Sequence, residues 1–285
     1  MSAFFKMNCG GEQVTIEKTD DDDIIFHGWD EEAELAAIEL GFEPSPCWIV
    51  WNAINEDEHD DELFEQAYQG NTLVVEALLF VGYNVKAEDS LRRTPLHIAA
   101  LYGCTDVVKI LLEAGASVDA TDYDGWTPLH KAIYHNRTDV IKILLEAGAS
   151  VDALDNHERT PLHVAASYGL TDVVKVLLGY GSSVDAVDQE DWTPLHYAAD
   201  DGYADTVKAL LEAGSSVDAK NIYGYIPLHN AAREGHADAV KLLLEAGSSV
   251  DITNNLGLTP LEMALSNTNM DVAKIIEDWT EEHGK

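Results

Sequence analysis

The sequence predicts an all-α repeat protein, a solenoid of about seven stacked helical units behind a small acidic α+β segment. Three features of the chain predict this fold class. A short motif built on Pro-Leu returns at a fixed interval, an apolar run follows each copy at a constant distance, and residues 1–57 stand outside the interval. A fixed period of roughly 20 to 50 residues is the signature of repeats that stack in a line and share one core.

The repeated motif marks the start of a helix. Thr-Pro-Leu-His begins at Thr94, Thr127, Thr160 and Thr193, and variants begin at Ile226 and Thr259, each 33 residues after the one before. Threonine is a favoured helix N-cap, and proline suits the first helical position because its missing amide hydrogen is not needed there. A short first helix is therefore predicted at each motif.

Small residues and glycines complete each unit. In the unit that begins at Thr94, the alanines 99 and 100 let a second helix over residues 106–114 approach closely. Gly103 and Gly115 can end the two helices, because glycine adopts left-handed dihedrals readily. A polar connection with the character of an extended hairpin then leads into the next unit.

Together with the apolar run 107–112 and the Val-Asp-Ala segment at 118–120, these residues closely resemble the ankyrin repeat. The resemblance implies an ankyrin solenoid of helix-turn-helix/hairpin repeats. Moved back by 33 residues, the register falls on Leu63, Ala67 and Gly70, which predicts a degenerate first repeat.

The other end of the stack is predicted to close with a helix over residues 271–279 and a polar tail from Glu281. Its inward residues are expected to be Val272, Ile275, Ile276 and Trp279. The register places the ankyrin-repeat domain at 58–285, after a separate segment at 1–57. The repeats are predicted at 58–90, 91–123, 124–156, 157–189, 190–222, 223–255 and 256–285.

Some positions depart from the repeat. Arg92, Glu158 and Asp191 stand at hairpin tips where Gly125, Gly224 and Gly257 stand in other repeats. Since residues other than glycine adopt positive φ poorly, these three tips are predicted to be shaped differently. Thr268 is likewise predicted to fit poorly at a helix end, and Gly179 is predicted to loosen its helix.

Residues 1–57 carry strand and helix signals of their own. Residues 14–16 and 24–26 predict two short strands around an acidic turn at 20–23, and residues 31–40 and 47–54 predict two helices. The second helix is expected to present Trp48, Ile49, Trp51 and Ile54. Residues 1–60 contain sixteen acidic and two basic residues. We interpret the segment as a folded cap on the first repeat; the alternative is an added domain that contributes to target binding.

The charge balance excludes several partners. The chain has 52 acidic and 17 basic residues, a formal charge of −35, which repels phosphate backbones and anionic lipid surfaces. We expect no direct nucleic-acid contact and no membrane association. No stretch is long and apolar enough to span a bilayer, and residues 1–8 lack the features of a signal peptide. A cytoplasmic monomer is expected, and delivery into a host cell is compatible with the same sequence.

No set of residues predicts catalysis, a cofactor or a metal. Cys9, Cys47 and Cys104 are an odd number at wide spacings and are expected to be reduced thiols. Neither Cys9 with His27 nor Cys47 with His59 lies in a recognisable catalytic motif.

One histidine recurs at the same position in five repeats: His97, His130, His163, His196 and His229. The resemblance implies a structural role, in which each histidine ties neighbouring hairpins by hydrogen bonds. Stacked helices about 8 to 10 Å apart cannot offer two such histidines to one ion that needs about 2 Å per ligand.

The candidate binding residues occupy positions that the repeat leaves free. The resemblance implies that the hairpin tip, the residue before the Thr-Pro step and the end of the first helix face a concave, target-binding surface. Aromatic residues and arginine are typical interface anchors. The candidates are Arg93, Tyr102, Tyr123, Trp126, Tyr134, His135, His157, Arg159, Tyr168, Trp192, Tyr223 and Tyr225. The alternative is that these aromatic side chains only stiffen the stack.

Two functions of different classes follow. The first is a non-catalytic scaffold or inhibitor whose concave face binds another protein with a basic or mixed surface, with the acidic field speeding encounter. The second is a nucleic-acid mimic that blocks a DNA- or RNA-handling protein. One carboxylate column with a pitch of about 8 to 10 Å is too sparse to imitate phosphates about 3.4 Å apart, so mimicry needs two or three columns. Solubility alone, or adaptation to a salty cytosol, would also account for the acidity.

Overall fold

The computed structural model describes residues 3–9, 12–19, 23–29, 31, 35, 38, 45–55 and 61–283. The first part of the chain contains a three-stranded antiparallel sheet in the order β1 (Ala3–Cys9), β2 (Glu12–Lys18) and β3 (Ile24–His27). Strands β2 and β3 confirm the two predicted strands. Strand β1 was not predicted, although its residues alternate between exposed and inward, with Met7 buried.

A ten-residue helix, α1 (Pro46–Asn55), confirms the predicted helix over 47–54 but turns a different face inward. Its buried side chains are Cys47, Val50 and Ala53, not the expected face with the two tryptophans. Trp48 and Trp51 are half-buried and their rings lie 5.2 Å apart. Both rings also pack on Trp29, at 6.4 and 5.9 Å between ring centroids.

Contacts with the first repeat tie this segment to the stack. Phe5 in β1 packs against Phe80, with ring centroids 5.7 Å apart, and the Tyr83 hydroxyl donates to the Ala53 carbonyl at 2.7 Å. The segment therefore docks as expected. Most of the predicted helix at 31–40 and of the acidic turn at 20–23 lies outside the described residues, as does the proposed domain boundary at 57.

The expectation that all three cysteines are reduced thiols is wrong. Cys47 is disulfide-bonded, whereas Cys104 is a free, half-buried thiol. Composition and spacing cannot reveal a single long-range pair, because nothing local in the sequence brings two distant cysteines together.

Residues 61–283 form seven helix pairs, which confirms the predicted solenoid. The first helices are α2 (Asp61–Gln69), α4 (Pro95–Tyr102), α6 (Pro128–Tyr134), α8 (Pro161–Ser167), α10 (Pro194–Asp200), α12 (Pro227–Glu234) and α14 (Pro260–Ser266). The second helices are α3 (Thr72–Val81), α5 (Thr105–Glu113), α7 (Thr138–Glu146), α9 (Thr171–Gly179), α11 (Ala204–Glu212), α13 (Ala237–Glu245) and α15 (Met270–His283).

One continuous core runs through the helix pairs. The motif leucines of the second to sixth repeats, such as Leu96 and Leu129, are fully buried, and so are the alanine pairs of the second, fourth, fifth and sixth repeats. At the C-terminal end α15 continues to His283, so the polar tail expected from Glu281 is helical as far as it is described. Ile276 is buried there and Trp279 lies partly buried against the core.

The hairpin tips without glycine are not shaped differently, contrary to expectation. Arg92, Glu158 and Asp191 adopt φ values of 59°, 62° and 56°, close to the 77° of Gly125, and Thr268 likewise takes a φ of 62°. The side chain of the first residue in the hairpin holds the turn by hydrogen bonds. Asp89 Oδ1, for example, accepts hydrogen bonds from the amides of Leu91 and Arg93 at 2.9 and 2.8 Å. These bonds offset the cost of the left-handed conformation.

Glycine is needed at a tip where the following repeat comes close. A Cβ added to Gly125 would lie 2.6 Å from Asn156 Oδ1, and one added to Gly224 would lie 2.6 Å from Asn255 Oδ1. Each of these asparagines reaches back to donate to a tip carbonyl, as Asn156 Nδ2 does to Tyr123 at 2.9 Å. The repeats that follow the tips with Arg92, Glu158 and Asp191 have no asparagine at this position. They carry Tyr123, Gln189 and Ile222 there.

The repeated histidines confirm the structural role that the resemblance implies. The Thr94 amide donates to Nδ1 of His97 at 3.0 Å, so the ring proton sits on Nε2. Nε2 then donates to the Trp126 carbonyl at 2.9 Å, one repeat ahead. His163, His196 and His229 make the same bond at 3.0 Å.

Two positions depart from this pattern. His130 Nε2 faces the Arg159 carbonyl without reaching hydrogen-bond geometry. In the last repeat, Glu262 takes the place of the histidine and accepts from the Thr259 amide at 2.8 Å. A carboxylate can cap the helix but has no proton to donate forward.

The extra glycine in α9 should cost stability. Gly179 ends the helix without positive φ, and a Cβ there would meet nothing within 4 Å. We expect Gly179→Ala to raise the free energy of unfolding by about 0.5 to 1 kcal/mol. The matched control is Gly181→Ala, which also has open space but a φ of 88° and should be destabilising. Urea denaturation of both variants checks the pair, and stabilisation by both would contradict the backbone argument.

The histidines should make the stack sensitive to acid. Burial lowers the pKa of His130 and of His196 to about 4, against about 6.5 in an unfolded chain. Since the unfolded state binds protons first, stability is complete above about pH 6.5 and falls as the pH drops towards 4, by a few kcal/mol for each histidine in order of magnitude.

Urea midpoints measured from pH 7 to pH 4.5 test this. The variant His130→Gln/His196→Gln should be less stable at neutral pH but should depend less on pH, whereas exposed His157→Gln should follow the wild type. Parallel pH curves for the wild type and the double variant would show that other groups cause the loss.

Candidate protein-binding face

The candidate residues divide into two classes by burial. Those before the Thr-Pro step are half-buried: Arg93, Trp126, Arg159, Trp192 and Tyr225. Those at the ends of first helices and at hairpin tips are exposed: Tyr102, Tyr123, Tyr134, His135, His157, Tyr168 and Tyr223. The first class is held in place by neighbouring side chains, and the second is open to solvent.

An aromatic run crosses the third and fourth repeats. The Trp126 ring lies 5.3 Å from Tyr134, and Tyr134 lies 5.1 Å from Tyr168, both in edge-to-face arrangements. Burial, followed by contact with the Tyr134 hydroxyl, raises the pKa of Tyr168. Tyr134 is 43% exposed and Tyr168 46%. We call these three residues the aromatic run.

A cation covers part of this run. Lys131 Nζ lies 4.7 Å from the centre of the Trp126 ring and forms an ion pair with the buried carboxylate of Asp122. Trp126 is therefore already packed on one face by its own repeat, which gives it a structural role.

Trp192 is more firmly part of the structure. It packs on Tyr197 at 5.2 Å, and its indole nitrogen is buried without a hydrogen-bond partner. The Tyr197 hydroxyl donates to Asp188 Oδ2 at 2.6 Å, and burial together with this carboxylate raises the pKa of Tyr197 above its usual range. These contacts favour a stiffening role for Trp192.

The two arginines are bound within their own hairpins. Arg93 pairs with Asp89 at 2.7 Å and Arg159 with Asp155 at 2.8 Å. Burial on its own would raise the pKa of each aspartate, but hydrogen bonds from the arginine and from backbone amides lower it. Arg159 still contributes positive charge beside Tyr168.

The hairpin-tip candidates stand apart from the aromatic run. Tyr123 is 71% exposed and makes no ring contact within the described part of the chain. The Tyr223 hydroxyl donates to Glu190 at 3.3 Å, and its ring lies 6.5 Å from Tyr225. His157 is exposed at the next tip. The structure thus does not gather all twelve candidates into one surface.

Several relevant side chains were missed by the sequence reasoning. Tyr68 packs edge-on against Tyr102 at 4.4 Å and stands in the first repeat where Tyr134 stands in the third. Extending the register to the degenerate repeat would have found it. Lys131 and Tyr197 occupy equivalent positions in their repeats, nine residues after Asp122 and Asp188. The repeat pattern gave no reason to single out this position.

Many carboxylates that looked available are used inside the stack. Asp152, Asp185 and Asp218 each accept from a serine hydroxyl of the next repeat at 2.9 to 3.0 Å. Asp188 holds its own hairpin, and Asp200 pairs with Arg233 at 2.6 Å. Asp201 stays exposed. Partial loss of solvent around its carboxylate, followed by the charge of Asp200, raises its pKa.

Metal ligands and membrane spans can be checked directly in the described residues. Within the described ranges, no three His, Cys, Asp or Glu side chains converge as a set of metal ligands. None of the described helices combines the length and the apolar character needed to cross a bilayer.

Comparisons with known proteins agree with this geometry. A family model described as ankyrin repeats (3 copies) matches residues 63–155 and 147–221, and one described as ankyrin repeats (many copies) matches 210–264. A search of curated proteins returned no match. Among solved structures, the crystal structure of the human ASB11 ankyrin repeat domain is similar at 31% identity, with a TM-score of 0.69, over 76% of this chain and 96% of that one. The capped first helices and the hydrogen-bonded histidines agree with the family models that match the sequence. The chain belongs to the ankyrin-repeat family.

Proposed function

We propose that this protein is a non-catalytic scaffold or inhibitor that binds another protein through the aromatic run of its third and fourth repeats. Ankyrin repeats generally serve as protein-interaction scaffolds. The observation that carries the proposal is the mutual contact of Tyr134 and Tyr168, two exposed rings held 5.1 Å apart across a repeat junction.

Pre-packed tyrosines suit recognition for a physical reason. A ring already fixed by its neighbour loses little conformational freedom when a partner covers it, so most of the free energy of burial is retained as affinity. Tyrosine also has a hydroxyl that can hydrogen-bond at the wet rim of an interface. Tyr102 and His135 are exposed at the equivalent ends of the first helices in the second and third repeats. We propose them as contacts that flank the aromatic run.

Charge around the run supports a partner with a basic or mixed surface. Arg159 and Asp201 both act on Tyr168, so the run offers one charge of each sign beside its rings. The formal charge of −35 over the whole chain adds a long-range field that attracts cationic surfaces. A monomer acting in the cytoplasm remains part of the proposal.

We give mimicry of nucleic acid less weight. It requires several columns of free carboxylates, yet Asp152, Asp185 and Asp218 accept hydrogen bonds from the next repeat. Carboxylates that hold neighbouring repeats together have a structural role of their own, so their presence needs no nucleic-acid-binding target to explain it.

Removing the two tyrosines should abolish most partner binding. Truncation of an interface anchor typically costs about 2 kcal/mol, or roughly thirtyfold in affinity. The partner is first captured from cell extract with the wild-type protein. We expect the double variant Tyr134→Ala/Tyr168→Ala to bind that partner at least about thirtyfold more weakly, as measured by calorimetry. The control Tyr180→Ala removes a ring that is 47% exposed at the end of a second helix. Equal affinities for all three proteins would refute the proposal.

Salt should act on the rate of association. Steering extends beyond contact and is screened over about 8 Å at physiological ionic strength. Surface-plasmon resonance at rising salt should therefore show slower association with little change in dissociation. For a nucleic-acid mimic, equilibrium affinity would instead fall steeply and DNA would compete. An association rate that does not change with salt would contradict electrostatic steering and indicate that the acidic residues serve solubility.

A further inference from the structure

A groove of about 440 Å³ lies between the first helices of the first two repeats, α2 and α4. Phe64, Tyr68, Ile98 and Tyr102 form its apolar lining. The two tyrosines are 47% and 46% exposed and contact each other edge-on. The groove is thus an open slot with aromatic walls, wide enough for a single long side chain.

Charge in the groove is strongly unbalanced. Its lining includes three carboxylates and one cation. Asp89 and the cation Arg93 neutralise each other at 2.7 Å. Asp61 and Glu65, both exposed, have no cationic partner among the described residues, and Glu65 accepts only a hydrogen bond from Gln69 at 2.6 Å. Two negative charges at the edge of an aromatic slot favour a positively charged occupant.

The protein fills comparable places elsewhere with its own cations. In the third repeat, Lys131 lies over Trp126 and pairs with Asp122. In the sixth repeat, Arg233 lies 5.9 Å from the centre of the Tyr225 ring and pairs with Asp200 at 2.6 Å. Each arrangement combines an aromatic face, a carboxylate and a cation.

The second repeat has its cation at another position, because Arg93 stands where Trp126 stands in the third repeat. The position of Lys131 is occupied there by Ile98, which is buried in the floor of the groove. Arg93 is bound to Asp89, and no side chain of the described chain crosses the slot between Tyr68 and Tyr102 to pair with Asp61 or Glu65.

We propose that this groove binds one arginine side chain of a partner protein. The aliphatic part would lie along Phe64 and Ile98, and the guanidinium would stack against a tyrosine and pair with Asp61 and Glu65. Arginine suits the place better than lysine because its planar group can stack on a ring and pair with carboxylates at the same time. The inference rests on the proposed function, since it presumes a protein partner, but it concerns other residues than the aromatic run.

A minimal probe tests the groove without knowledge of the partner. N-acetyl-arginine methylamide is titrated into the full chain labelled with ¹³C at isoleucine δ1 methyl groups, and N-acetyl-citrulline methylamide serves as the neutral isostere. The Ile98 signal should shift and saturate with the arginine probe, while Ile133 and Ile141, buried in the third repeat, stay in place. The citrulline probe should bind about tenfold more weakly or not at all.

Charge-matched variants separate contact from the general acidic field. Asp61→Asn/Glu65→Gln should weaken binding of the arginine probe about tenfold. Asp106→Asn/Asp139→Asn removes the same charge from the first turns of α5 and α7 and should leave binding within about twofold. Both pairs lie on exposed helix surface, so the folded methyl spectrum should be retained.

Three outcomes would overturn the inference: an unmoved Ile98 signal, equal shifts with citrulline, or equal effects of the two variant pairs. Failure here is distinguishable from failure of the proposed function. If the arginine probe does not bind but Tyr134→Ala/Tyr168→Ala still abolishes partner binding, only the groove is wrong. If the reverse holds, the groove binds arginine and the aromatic run is not the main contact.

Discussion

The hydrogen bond from a buried histidine to a carbonyl one repeat ahead is a contact that recurs regularly between repeats, at four junctions of the stack. It fixes the helix start on one side through Thr94 and the next hairpin on the other through Trp126. The bonded carbonyl belongs to the residue before the Thr-Pro step, which is the position that carries the candidate anchors. At those four junctions the same bond joins two repeats and fixes the backbone of a residue at a candidate position.

The fold could be predicted from the sequence where a physical requirement repeats. Helix starts, helix ends and the histidine column each recur every 33 residues, so one unit explains the others. Prediction failed where a feature occurs once. The disulfide at Cys47, strand β1 and the inward face of α1 depend on contacts between distant parts of the chain. No local pattern encodes such contacts.

The candidate site shows the same division at the level of side chains. The repeat register correctly located rows of aromatic residues, but it could not say which rings are free. That depends on a second position in the same repeat: Lys131 covers Trp126, and Tyr197 packs on Trp192. Burial of one anchor is decided by the identity of another residue five positions later, and amphipathic periodicity carries no information about that pair.

The paired glycine and asparagine at the hairpin tips have an evolutionary consequence. Gly125 is required because Asn156 of the following repeat approaches it, and Gly224 because of Asn255. A repeat that brings such an asparagine can be duplicated or recombined only behind a repeat whose tip is glycine. Placed after Arg92, Glu158 or Asp191, it would collide with a side chain. The order of these repeats is thus not freely exchangeable, because each tip must suit the repeat that follows it.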